Sequence, residues 1–289
     1  MNLKYLTITV GSIFLALGIG IFIGLVISTG NVVETQTGDI VTQIEEQFAY
    51  LRDENKKNRE EIERVQETNS HLDYALGAMS SNIINAQLEG RNIAVVNLND
   101  EEDNSFVKNI LERGGANITS ITHINSSFYT DGDKIKDEMN LSEIVSEDES
   151  IYNYLGHEFS QVLLNGQPSN AVVQLVERGY ISLEGDYSFV PDEILIIGGY
   201  ENEKHRNGSF TNVLLEAVKN SNKIAVGAET SDVKNSDIPL FKEYGLSTVD
   251  NIDQHIGKLS LVITLKGVKG NYGEKDKDDI SVPDITLLD

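Results

Sequence analysis

The sequence predicts an α/β protein in three parts: a single N-terminal transmembrane helix, a parallel coiled coil, and a domain built on a mostly parallel sheet. Three observations carry this. Leu6 to Ile27 contains no charged residue. Apolar residues then recur at spacings of three and four from Val41 to Ile83. From Arg91 onward, short β-branched runs alternate with helical patterns. The expected boundaries are residues 1–30, 31–88 and 89–289.

The apolar run is long enough, at about 1.5 Å per residue, to cross a hydrocarbon layer of about 30 Å. Its glycines, Gly18, Gly20 and Gly24, do not form G-x-G-x-x-G, and no strand precedes them, so a dinucleotide turn is not the reading. A cleaved signal is the competing reading, with Ser28 and Gly30 suited to a cleavage site. The length of the run and its lone basic residue, Lys4, favour an uncleaved anchor. Acidic Glu34, Asp39, Glu45 and Glu46 follow the span, which puts the N-terminus in the cytoplasm and the rest outside the cell membrane. Ser12, Ala16, Gly20 and Gly24 fall every four residues and make a flat stripe on which two helices can pack closely.

The heptads begin with Val41 at a and Ile44 at d, and no proline interrupts them. Asn55 and Asn69 fall at a and Asn58 at d; a polar pair there costs stability but fixes register. Glu54 at g faces Arg59 at e of a parallel partner, and Gln47 and Arg52 repeat the arrangement. A homodimer through both the membrane helix and the coiled coil follows. His71 falls at c, a solvated position.

In the third part, residues 92–98, 117–124, 193–200 and 223–230 read as strands. Helices are expected near 106–116, 133–140, 142–164, 168–178, 211–221 and 237–245. Residues 181–189 suggest a small hairpin or an irregular pair, and 247–252 a short strand or turn. The run HIGKLSLVITLKG, residues 255–267, is read as holding the last strong strand, and GNYGEKDKDD in the tail as a mobile loop. Nearly continuous apolar strands alternating with helices point to a Rossmann-like sheet covered on both faces.

A formal net charge of -23 argues against nucleic acid, whose phosphates require clustered Lys and Arg. The chain has no cysteine, which removes disulfides and thiolate metal ligands. Ligands of such sheets bind beyond the carboxyl ends of the strands. The residues there are Asn97, Asn99, Asp100, Gly198, Gly199, Tyr200, Glu229, Thr230 and Asp232, and of these Asn97, Asp100, Gly198, Gly199 and Glu229 form the candidate cleft. They match no catalytic or phosphate-binding motif, so no enzyme and no cofactor are expected. Gly198-Gly199 reads more simply as a tight turn than as a ligand cradle. No metal site is expected either: the five histidines are scattered, and the methionines, Met1, Met79 and Met139, make no copper(I) cluster. Glu203 with His205, or Asp250 and Asp253 with His255, are the carboxylate–imidazole groupings a fold could assemble.

LKYLTITVGSIFLALGIGIFIG at the start, GRNIAVV and LERGGANIT in the middle, and VDNIDQHIGKLSLVITLKG followed by GNYG near the end together resemble the mycobacterial copper transport protein B (MctB) family, also represented by a corynebacterial envelope and division protein, SteB. The resemblance covers most of the chain in order, although Tyr5 lacks the histidine that follows it in the family. It implies a role in copper ion homeostasis or transport, and it carries no catalytic residues. One span and no soft copper ligands do not make a channel. The residues themselves fit a cell-envelope scaffold, and the resemblance to the second family member implies an envelope or division protein as partner. The alternative is a small-ligand or metal sensor using the α/β cleft.

Overall fold

The computed structural model describes residues 3–98, 105–141, 145, 150–201 and 208–288. The chain divides into two compact units, Met1–His71 and Leu72–Asp289. The first helix, α1, runs unbroken over Leu3–Ile84. Within it, Leu6–Ser28 has a mean hydropathy of 2.6, and this is the one helix among the described residues long and apolar enough to cross a membrane.

The second unit is built on β1 (Asn92–Asn97), β2 (Asn117–Ile124), β3 (Ile181–Gly185), β4 (Glu193–Ile197), β5 (Ile224–Ala228), β6 (Ser247–Val249) and β7 (Asn271–Tyr272). Their order is β3-β2-β1-β4-β5-β6-β7. Apart from β3, which is antiparallel to β2, all neighbours are parallel. The order reverses between β1 and β4, as in doubly wound dinucleotide-binding sheets. Helices follow the strands: α2 (Ser105–Arg113), α3 (Ser126–Thr130), α4 (Gly132–Glu138), α5 (Ile151–Asn165), α6 (Asn170–Glu177), α7 (Gly208–Asn220), α8 (Ile238–Glu243) and α9 (His255–Leu265).

Because side chains alternate along a strand, β1 feeds two cores. Ala94 and Val96 join Ile194 and Ile196 under α5 and α7, around Phe128, Phe159 and Phe210. Ile93 and Val95 join Leu195, Ile197 and Val226 under α2 and α9. The end of α1 and the turn after it belong to this second core, where Ile84 and Leu88 are buried and Ile83, the last heptad residue, packs against them. The hydrophobic repeat therefore finishes on the domain's own core.

Four local expectations are corrected. Residues 255–265 are helix α9, not a strand. A continuous apolar run has no period by which to tell the two apart. Helix resolves the buried hydroxyls: Ser260 Oγ donates to the Ile256 carbonyl at 3.0 Å and Thr264 Oγ1 to that of Ser260 at 2.9 Å. The turn into α9 is tight, since a Cβ on Gly257 would stand 1.9 Å from the Asn251 carbonyl oxygen. Residues 181–185 form no hairpin of their own; they pair with β2 as the sheet's edge. The tail is not a free loop. Asn271–Tyr272 extends the sheet, and the Asp250 carboxylate accepts the amides of Glu274 and Lys275 at 3.0 and 2.8 Å. The helix expected at 142–164 begins at Ile151; residues 142–144 and 146–149 lie outside the described residues.

Candidate functional site

The carboxyl ends of β1, β4 and β5 lie side by side, with Asn97 opposite Ile197 and Ile197 opposite Ala228. The residues expected there separate into two groups. Asn97, 1% exposed, turns toward β2, where its Nδ2 is 3.4 Å from His123 Nδ1. Gly199 and Glu229 are joined through Asp237 at the start of α8. The Gly199 amide donates to Asp237 Oδ2 at 2.9 Å, and the Asp237 amide donates to Glu229 Oε2 at 3.0 Å. Asp100, like Asn99, lies outside the described residues.

Glu229 is fully buried, and both of its oxygens are taken. Oε1 accepts from Ser236 Oγ and from Lys275 Nζ, each at 2.6 Å. Burial pushes the Glu229 carboxyl up from its ordinary value, while hydrogen bonds from Lys275 and Ser236 and the lysine's charge oppose this. Lys275 also donates to the Thr230 carbonyl at 2.9 Å. Chemically this is a clamp. A buried carboxylate that holds an ammonium, a hydroxyl and an amide fastens the tail to the sheet.

Gly198 and Gly199 are spoken for by the protein itself. A Cβ on Gly198 would meet Phe241 at 2.7 Å, and one on Gly199, where φ is +88°, would meet Val233 at 2.6 Å. These glycines admit neighbouring side chains, which is the tight-turn reading.

The sequence singled out neither Ser236, Asp237 nor Lys275. Ser236-Asp237 directly before Ile238-Pro239 was a readable helix start. Nothing local marked Lys275, whose partner is 46 residues away.

Among the described residues, no three His, Asp or Glu side chains are placed to hold a metal ion. Asp253 accepts the Ser231 amide and hydroxyl, both at 2.7 Å, Asp250 holds the tail, and His255 Nε2 lies 3.5 Å from Asp73. Glu203 and His205 lie outside the described residues. Met79 is exposed and Met139 buried.

On α1, Ser12 Oγ donates to the Thr9 carbonyl at 2.9 Å, Ala16 is exposed, and a Cβ on Gly20 or Gly24 would meet nothing within 4 Å. Asn55 Nδ2 donates to the Leu51 carbonyl at 2.8 Å, and Asn58 and Asn69 are exposed.

Residues 1–283 match a family model described as "Copper transport outer membrane protein, MctB". The chain belongs to the MctB family. No curated protein matches it. In this MctB-family chain the match takes in the apolar helix, the heptads, the whole sheet and the tail segment that carries Lys275.

Proposed function

We propose that this MctB-family chain is a single-pass, dimeric, non-enzymatic scaffold of the cell envelope that serves copper homeostasis. In this reading residues 1–30 anchor it, the exposed heptad positions from Val41 to Met79 pair it, and residues 89–289 stand outside the membrane and engage an envelope or division partner.

The observation that supports pairing is the apolar stripe of α1. Val41, Ile44, Phe48, Leu51, Ile62, Val65, Leu72, Leu76 and Met79 are between 39% and 60% exposed in the single chain. Partial burial of such side chains contributes about 1 kcal/mol apiece. Summed over two chains, that exceeds the estimated cost of association, roughly 4–15 kcal/mol. Glu54 and Arg59 make no ion pair within the chain among the described residues, which leaves both for a partner helix, whereas Asp53 and Lys57 pair locally at 2.7 Å.

The natural absence of cysteine makes the test direct. In membranes, Val65→Cys at d should form an oxidised dimer, and Glu67→Cys on the outer face should not. Equal crosslinking at both positions, or at neither, would sink the parallel dimer. Copper reaches this reading through the family description alone. Tight, stoichiometric copper binding by the full chain would replace the scaffold with a metal carrier or sensor.

A further inference from the structure

At the opposite end of the sheet, beneath the amino ends of β5 and β6, lies a cavity of about 320 Å³. Lys219, Lys223 and Lys269 line it, and among the described residues no carboxylate does. The chain carries 46 acidic and 23 basic residues, so three lysines without an acid run against its composition. The volume sits at the lower end of the range for ligand pockets, about 300–1,000 Å³.

The three lysines are not equivalent. Lys223 Nζ is committed to the Pro191 carbonyl at 2.7 Å. Lys219 Nζ lies 5.7 Å from the centre of the Tyr244 ring, and Lys269 has no ion-pair partner among the described residues. Both are exposed at the mouth. The walls add the Tyr244 ring and Ser247, over a floor that includes the buried Val218 and Leu246. Lys219 also stands in the last turn of α7, where it offsets the helix's C-terminal partial charge, about half an elementary charge. The C-terminal ends of α8 and α9 also border the cavity, and at about half an elementary charge each they reduce but do not cancel the charge of three lysines. At physiological salt, charges beyond about 8 Å are largely screened. Lys223 also acts on the Glu193 carboxylate, so part of its charge is offset there, and Lys219 and Lys269 carry the potential at the mouth of the cavity.

We propose that this cavity binds a small phosphate-bearing ligand, with Lys219 and Lys269 holding the phosphate and Tyr244 and Ser247 flanking its body. Two ammonium groups suit a doubly charged phosphate better than a single carboxylate. The site is independent of whether α1 pairs, and of copper.

The test uses the full-length chain in neutral detergent and follows binding of glycerol phosphate, inorganic phosphate and acetate at matched ionic strength. Vesicles of phosphatidylglycerol, with phosphatidylcholine as control, form a separate arm. Glycerol phosphate should bind saturably and more tightly than acetate. The double variant Lys219→Glu/Lys269→Glu should weaken it about tenfold or more, and Lys277→Glu, an exposed lysine of the tail loop, should not. Should the double reversal disturb folding, Lys219→Ala/Lys269→Ala is expected to show a smaller loss in the same direction. Binding of the soluble phosphate assigns a free or polymer-borne group. Binding of phosphatidylglycerol vesicles alone, lost in the same variants, assigns a lipid headgroup. Binding of neither, equal binding of acetate, or binding unchanged in both double variants overturns the proposal.

Discussion

The two ends of the one sheet are built differently. At the carboxyl end, Glu229 accepts from Ser236, Asp237 and Lys275, and two glycines are packed against Phe241 and Val233. At the amino end, lysines line an open cavity and two of them have no ion-pair partner among the described residues. In doubly wound sheets the carboxyl end is the usual ligand end. Here its polar groups at β5 are spent on holding the chain together, and the charge left over faces the other way. The general lesson is that fold-level analogy locates a crevice, while hydrogen-bond bookkeeping decides whether its groups are available.

The contrast predicts that the carboxyl end carries stability and the amino-end lysines do not. The largest effect is expected from Glu229→Ala. It leaves an ammonium, a hydroxyl and an amide without their acceptor, and should cost about 3 kcal/mol in urea unfolding. A loss below about 1 kcal/mol would show that the clamp is slack. Next comes Gly199→Ala, which puts a side chain at positive φ against Val233 and should cost about 1–2 kcal/mol. A neutral result would mean that the turn relaxes.

The pH dependence of stability sharpens the same comparison. Burial raises the carboxyls of Glu229 and Glu193 above their ordinary 4.5, and Arg91 opposes this at Glu193. A carboxyl raised in the folded state binds more protons there than in the unfolded chain. Its contribution is therefore full at low pH and is lost as pH climbs from about 4.5 through the raised value. Unfolding free energy should fall over that window. Glu193→Gln should flatten the fall, and Lys275→Met, by raising Glu229 further, should steepen it. An unchanged slope in both variants would refute this account. The smallest effect is expected at the amino end. Lys219→Ala and Lys269→Ala should each leave the unfolding midpoint within about 0.5 kcal/mol of the parent. A larger loss would make those lysines structural and erase the difference between the two ends.

Much of this architecture was legible before the structure. The apolar helix, β1, β2, β4, β5 and most helices fall where local patterns placed them, because each pattern reports burial on one face or two. The candidate cleft was legible only as a set of strand ends. Gly199 and Glu229 are connected, but through Asp237; Asn97 serves a different neighbour, His123. The tail failed as a local reading because GEKDKDD looks solvated until its partners are known. Lys242 reaches Asp276 and Asp279, at 3.1 and 2.6 Å, across more than thirty residues of sequence.

By itself, the sequence determined what depends on neighbours along the chain: the length and apolarity of the first helix, its heptad register, the alternation of strands with helices, and the excess of acid. Only the tertiary structure decided that residues 255–265 coil rather than extend, that the edge strand pairs with β2, and that Lys275 closes on Glu229. The physical reason is the same in each case. A run buried on every side has no period, and a polar residue's role is set by which distant partner satisfies it once water is excluded.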